Sequence, residues 1–294
     1  MGLDDLTPPV DPRSTWDLPP FGQLPRTAAL DELVTRVLAD NASPMTLDGT
    51  NTYLVGEPGS GVVVLVDPGP DDAAHLRRVQ AAAEERDAEV AAIVVTHHHV
   101  DHAEAALPWA ERLGCSVAAA SRPVAGAHGR VVADGETVEI GGLRLEVLAT
   151  PGHTRDHISL RLPTGAVLTG DHVLGRGTSV VPHPEGDLVA YLESLRRVHE
   201  LGPDALYPGH GPELTEDPDA VLTYYRQHRR FRERQILEVL ADGPTTPRGL
   251  VERIYADVDA RLWDAAEAST RAALVGLAER GELEHRDDDT VAPR

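Results

Sequence analysis

The sequence predicts an α/β protein with a layered sheet core, followed by a smaller helical unit. Three observations carry that expectation. From residue 30 to 215, short β-rich runs closed by turn residues alternate with helical stretches. Over 216–294 the pattern changes to three helices and a short polar tail. Several of the apolar runs also end abruptly in His or Asp, which is where loops at strand ends collect functional groups. Residues 1–29, rich in Pro and Asp and without periodicity, read as an extended or disordered arm, with Trp16 and Phe21 as candidate pins.

The elements follow in order. TNTYLVG (50–56) and GVVVLVDPG (61–69) read as neighbouring strands, and DDAAHLRRVQAAAEERDA (71–88) as a helix with an acidic first turn. AEVAAIVVT (88–96) is the next buried strand. VDHAEAALPWAERLG (100–114) is a helix expected to break near Pro108 and to close at Gly114. TVEIGGLRLEVLAT is a hairpin over Gly141-Gly142, and ISLRLP, GAVLTGD and the helix DLVAYLESLRRVHELG complete the unit. Asp217-Pro218 and Thr246-Pro247 each pair an N-cap with Pro at the first helical position. They open two helices, and a third runs over about 264–281 before the tail ELEHRDDDTVA. Three helices and a small ribbon resemble a winged-helix module.

Bulk properties narrow the function. The chain has 294 residues, 41 % of them apolar, and a formal charge of −21 with every basic side chain an Arg. That charge repels nucleic acid at long range unless a local basic patch overrides it. A single cysteine, Cys115, excludes an internal disulfide and fits a reducing cytoplasm, and it reads as a buried structural thiol. No apolar run is long enough to span a membrane, and the start does not read as a signal peptide. Nothing fixes the oligomeric state, and a homo-oligomer is compatible with the composition.

The densest chemistry lies in VVTHHHVDHAE (94–104), four His and two acids directly after an apolar run. His97 and His99, two apart in an extended segment, point the same way. Asp101 and His102 follow in the first turn of the next helix. Neutral imidazoles with a carboxylate are a ligand set for Zn²⁺ and similar ions. His153 in LEVLATPGHT, Asp171 in AVLTGDH and His210 in ALYPGHG recur in the same setting, each just after an apolar run. Singly each reads as a turn residue, but four such motifs in order read as a site.

THHHVDH, TPGHT, LTGDH and YPGHG, preceded by VDPG at 66–69, resemble the metallo-β-lactamase-fold hydrolases over residues 35–212. The resemblance implies an αββα sandwich with two metals at one edge. His97, His99 and His153 would hold one Zn²⁺ or other divalent ion; Asp101, His102 and His210 would hold the second. Asp171 would bridge both, with Asp67 and His157 orienting the ligands from behind. Such a pair activates a shared water as a metal-bridging hydroxide and polarises the scissile group, with Asp101 and Asp171 as the catalytic carboxylates.

PMTLDGTNTYLVG, TPGHTRDHISL, LTGDHVLGRGTSVV and HRRFRERQILEVL narrow the resemblance to β-lactamase-like endoribonucleases with a C-terminal winged helix. That group implies single-stranded RNA as the first substrate expectation. Similar fungal thioesterases imply the alternative, a thioester of CoA, acyl-carrier protein or glutathione. Glyoxalase II-type relatives lack a winged helix, and β-lactam hydrolysis fits a periplasmic enzyme with a leader. A reading of another class, a non-catalytic regulator binding nucleic acid or protein, sits poorly with seven retained ligand positions.

The remaining candidates divide. His98 replaces the aromatic residue of many relatives and should point away from the metals. His172 reads as packing or solvent-facing, Asn51 and Thr52 as shaping a loop under the site, and Thr178 as a turn or substrate contact. Arg226, Arg229, Arg230 and Arg234 fall on one helix face, either a phosphate-binding stripe above the cleft or a solvated face paired with acids. The acid-rich third helix (Asp264, Glu267, Glu279) argues against DNA reading and suits a roof or an interface.

Overall fold

Alternation along three strands builds the core. The computed structural model describes Leu3 and residues 6–294. The first sheet has seven strands in the order of the sequence: β1 (Thr27–Ala29), β2 (Val34–Leu38), β3 (Asn51–Val55), β4 (Val62–Val66), β5 (Glu89–Val95), β6 (Ser116–Ala119) and β7 (Arg130–Val131). Strands β1 to β4 pair antiparallel, and β4 to β7 pair parallel. The second sheet runs β12 (Leu206–Pro208), β11 (Val167–Gly170), β10 (Ile158–Arg161), β9 (Leu143–Ala149) and β8 (Thr137–Ile140), antiparallel except for β11 with β12.

Successive residues of a strand face opposite sides, so each sheet separates two cores. Tyr53, Val55, Val64, Val66 and Val94 meet Val138, Leu145, Val147, Ile158 and Leu160 between the sheets. The intervening Leu54, Leu65, Ile93 and Val95 face outward onto α1 (Ala73–Glu84) and α3 (Ala106–Leu113), through Val79 and Trp109. Helix α5 (Leu188–Glu200) covers the far face of the second sheet with Tyr191, Leu195 and Val198. The layers are therefore helix, sheet, sheet, helix, with a further single turn, α4 (Arg122–Ala125), beside β6.

The helix starts follow local chemistry. Asp72, Asp187, Asp217 and Thr246 cap α1, α5, α6 (Pro218–Ala241) and α7 (Pro247–Ile254) by accepting from backbone N–H groups inside the first turn. The segment 100–114 is two helices, and its break precedes Pro108. Ala105 donates its N–H to the Gly69 carbonyl, which ends α2 (Val100–Ala103) before α3 begins. Pro108 sits in the first turn of α3, where no intrahelical N–H is required. The Gly141-Gly142 hairpin forms with both φ positive, as a two-residue turn between paired Ile140 and Leu143 demands.

Helix α8 (Trp263–Glu279) and a ribbon of β13 (Leu283–His285) with β14 (Val291–Pro293) complete the C-terminal part. Its apolar residues do not form a core of their own. Ile236, Leu240, Leu250, Leu274, Leu283 and Val291 join Leu148, Tyr191, Leu195 and Leu206 in one buried cluster. The N-terminal segment is likewise attached, in two ways that the sequence did not announce. Thr27–Ala29 forms the edge strand β1, and Arg13 is buried, donating to the carbonyls of Leu174 and Gly177. Trp16 packs against the core, whereas Phe21 is exposed. Among the described residues no helix is long and apolar enough to cross a membrane.

One buried and one half-buried histidine outside the metal-facing loops make stability depend on pH. Burial lowers the pKa of His75 to about 4 and that of His228 to about 3, with nearby arginines acting in the same direction. The unfolded chain, titrating near 6.5, binds the proton first, so stability falls as the pH drops from 6.5 toward these values. His228→Asn should therefore lose less stability than the wild type between pH 6.5 and 5, by about 2 kcal/mol. Denaturant unfolding at both pH values checks this; equal losses would contradict it.

Candidate metal centre

Strand direction gathers the polar loops. The C-terminal ends of parallel β4 and β5 point to one edge of the sandwich, as do those of β9, β11 and β12. Asp67 follows β4, Thr96–His99 and α2 follow β5, His153 follows β9, Asp171 follows β11 and His210 follows β12. All seven predicted ligands therefore arrive at one edge from four loops.

Their donor atoms fall into two groups that could each hold a metal ion, His97, His99, His153 and Asp171 in one, Asp101, His102 and His210 in the other. In the first, Nδ1 of His99 lies 3.1 Å from His97 Nε2 and 3.0 Å from His153 Nε2, and Asp171 Oδ2 lies 3.6 Å from His153 Nε2. In the second, Nε2 of His102 and His210 are 3.1 Å apart, with Asp101 Oδ2 3.2 Å from His210. The other oxygen of Asp171, Oδ1, is 3.3 Å from His102 and 3.4 Å from His210. Ligands of a tetrahedral ion at roughly 2.0–2.1 Å sit about 3.3 Å from each other, so these spacings fit coordination.

Hydrogen bonds behind the rings fix which nitrogen is free. His153 Nδ1 donates to the Val180 carbonyl at 2.6 Å and His210 Nδ1 to the Gly49 carbonyl at 3.1 Å. His102 Nδ1 donates to Asp67 at 2.8 Å. Thr96 Oγ1 donates to Asp67 and so accepts from His97 Nδ1. Each of these four rings thus presents an Nε2 lone pair to the cluster. His99 is the exception: it offers Nδ1, while Nε2 faces Glu185 at 3.4 Å.

The electrostatics agree with a cation site. Burial opposes charge on His102 and His210, yet Asp171 with Asp67 or Asp101 raises both, His210 to about 9. Burial, then His102 and His153, drives His97 well down. Burial alone would raise Asp171, but His210 and His102 hold it well below the usual range. The carboxylates that attract protons to this edge would attract a divalent cation in their place.

The supporting residues are close-fitted. Asp67 is 2 % exposed and adopts φ 52, a left-handed conformation that costs an ordinary residue about 1–2 kcal/mol. Its carboxylate accepts from Thr96 N, Thr96 Oγ1 and His102. His157 is buried and its Nε2 accepts from the Asp171 N–H, with Nδ1 turned to Thr150. Asn51 donates to the carbonyls of Pro208 and Gly211 on either side of His210, and Thr52 bridges Asp67 and His75. His98 lies beside Asp156 and Glu185 at 2.7 and 2.5 Å. His172 does not face solvent; it is buried against Tyr191.

Sequence reasoning missed several participants. Glu185, 86 positions from His99, leaves no spacing signal. Ser179 and Val180 act on Asp171 and His153, through a hydroxyl on the Asp171 carbonyl and through a backbone carbonyl. Arg226, Arg229, Arg230 and Arg234 do not share one exposed face. Arg229 is buried, donates to the Ser179 carbonyl and stacks on Tyr191 at 4.9 Å, while Arg230 and Arg234 line a separate groove with Glu233 and Arg280. Helix α8 reaches the same neighbourhood: Ser269 Oγ accepts from Val181 N and the Ala268 carbonyl from His183 N.

Comparison with known proteins agrees with this geometry. Residues 45–210 match the metallo-beta-lactamase superfamily. The chain belongs to that family. Residues 246–290 match the beta-lactamase associated winged helix domain. Among metallo-beta-lactamase relatives, a beta-lactamase-like protein 2 homolog of Drosophila melanogaster is 32 % identical, covering 88 % of this chain and 92 % of its own. An atrochrysone carboxyl ACP thioesterase of Aspergillus chevalieri is 32 % identical over 82 % of this chain and 78 % of its own. A metallo-beta-lactamase family protein of Thermus thermophilus superposes with a TM-score of 0.76 at 24 % identity, covering 90 % of this chain and all of its own. The protein is thus a superfamily hydrolase with a C-terminal winged-helix domain.

Gly209, just before His210, tests the fit most sharply. A Cβ there would lie 2.6 Å from Asp171 Oδ1 and 2.7 Å from His102 Cε1. Gly209→Ala should lower bound metal by about tenfold or more in affinity while the fold persists. Metal analysis alongside circular dichroism checks this; full metal content would show that the donors tolerate displacement.

Proposed function

We propose that the protein hydrolyses thioesters with two divalent ions, zinc being suited to the donor set. His97, His99, His153 and Asp171 would hold one, and Asp101, His102, His210 and Asp171 the other. The observation that carries this is the division of the two Asp171 oxygens between the two donor groups. When bound, such a pair supplies an activated water and draws charge from a carbonyl oxygen.

The chain's own residues do the rest. His99 and Asp101 are the partly exposed members of the cluster, side chains 28 % and 26 % accessible, so substrate approaches over them. Water oxygen adds to the thioester carbonyl carbon, the C–S bond breaks, and the products are a carboxylic acid and a thiol. Asp101, one of the partly exposed members, would pass the water's proton to the departing sulfur. A thiolate, with a pKa near 8.5, needs little such help.

The substrate class rests on two supports. Next to the metal-facing cluster lies a pocket of about 340 Å³ with Met45, Leu47, Leu174, Val258, Leu262 and Ala265 in its walls, an apolar lining suited to an acyl chain. Two relatives, of Aspergillus chevalieri and Aspergillus fumigatus, carry the name atrochrysone carboxyl ACP thioesterase. For RNA, base stacking would call for several aromatic platforms, and among the described residues Tyr255 is the one Phe, Tyr or Trp in that pocket.

One panel tests the reading: an acyl-CoA, an acyl-carrier-protein thioester, lactoylglutathione, labelled single-stranded RNA and nitrocefin, each with and without chelator. Chelator-sensitive release of thiol is expected, with RNA and nitrocefin intact. Metal-dependent cutting of RNA without thioester turnover would replace this reading by the ribonuclease one. Asp171→Ala should lower the thioester rate at least about 100-fold and reduce metal content; unchanged rate and metal content would remove its bridging role.

A further inference from the structure

Two arginines in the walls of the acyl pocket have no acid to match them. Arg229 and Arg232 line it beside Arg176, which lies 4.0 Å from the buried Asp48, and among the described residues no Asp or Glu is in the lining. In a chain of net charge −21, that is a local inversion of sign. Arg229 is only 7 % exposed. One nitrogen donates to the Ser179 carbonyl, the guanidinium lies over Tyr191, and its Nε meets no acceptor. Arg232 donates to Gln235 Oε1, stacks 4.3 Å over Tyr255, and likewise has an unpartnered buried Nε. Other arginines of the C-terminal part, such as Arg248, Arg253, Arg271 and Arg280, are each paired with a carboxylate. Burying a guanidinium without a counter-anion is unfavourable, so a pair kept this way beside a pocket is poised for an anion brought by a ligand.

The position of these groups says which end of the ligand meets them. The Ser179–Val180 segment is shared: its outer side lines the pocket, and its own groups hold Asp171 and His153. A molecule with its thioester at the metal-facing edge would run along the apolar walls toward Arg229 and Arg232. The planar guanidinium fork pairs bidentately with a carboxylate. We propose that this pocket receives an acyl chain ending in its own carboxylate, so that the preferred substrates are monothioesters of dicarboxylic acids. This rests on the thioester reading for its chemistry, and on the unpaired arginines for its selectivity.

The test compares the glutaryl thioester of N-acetylcysteamine with the methyl ester of its free carboxylate, on metal-loaded wild type and Arg232→Met. The wild type should favour the free carboxylate by at least about tenfold in kcat/KM, and the ratio should fall toward one in the variant. A wild-type ratio near one, or a ratio that Arg232→Met leaves unchanged, overturns the proposal. A second measurement does not depend on turnover: calorimetric titration of both proteins with glutarate and, separately, with inorganic phosphate. Glutarate should bind the wild type at least about fivefold more tightly than the variant. If neither thioester is hydrolysed but glutarate binding keeps that dependence, the pocket stands and the thioester reading falls. Equal glutarate binding in both proteins overturns the pocket. Phosphate binding more tightly than glutarate, with the same dependence on Arg232, would assign the arginines to a phosphate and overturn the carboxylate.

Discussion

The buried carboxylate of Asp67 is the constraint on which the site geometry depends. It sits at the end of β4 in a left-handed backbone conformation and accepts three hydrogen bonds, two from Thr96 at the end of β5 and one from His102 on α2. Those bonds join neighbouring strand ends to the helix that follows β5 and set the tautomer of His102. Through the Thr96 hydroxyl they also set that of His97. A carboxylate buried this deeply is tolerable only when its lone pairs are occupied, and here the occupants are His102 and the Thr96 groups that orient the rings of the candidate metal cluster. The local strain of the Asp67 backbone is thus retained at the place where orientation matters most.

Much of this was legible in the sequence, for a physical reason. Crossovers join parallel β4 to β5 and β11 to β12, while β9 and β11 flank an antiparallel β10, so these five strands all end at one edge and the residues just after them are brought together. His97, His99, Asp101, His102, His153, Asp171 and His210 could be read that way. The supports were less visible. Val180 and Gly49 act through backbone carbonyls, which carry no residue identity, across separations of 27 and 161 positions. Arg229 shares helical spacing with three other arginines, yet lies far enough around α6 to turn inward. Periodicity fixes a helix and its broad face, but not which residue at the margin of that face is buried.

The C-terminal domain is held to the sandwich by a single continuous apolar core. Its polar contacts are placed where they bear on the site: Arg229 holds Ser179, and Ser269 and Ala268 hold Val181 and His183. From the other end of the chain, Arg13 holds Leu174 and Gly177. The segment 174–183, which lies between the metal-facing edge and the apolar pocket, is therefore gripped from both sides. The pocket walls from α6 and α8 belong to stretches of sequence that carry no member of the His and Asp cluster. Chain-specific change in α6 and α8 can reshape the pocket without touching a metal-facing side chain.

That grip has a consequence for how the protein is made. Synthesis proceeds from the N-terminus, and every metal-facing side chain emerges before Arg229 and Ser269 do. The two sheets can close over their shared core as soon as β12 is available, while the loop behind Asp171 and His153 still lacks its last anchors. Final ordering of that loop waits for the last quarter of the chain. A nascent protein cut short before α8 would carry the full set of His and Asp donors while the segment 179–183 still lacked Ser269 and Ala268 as anchors.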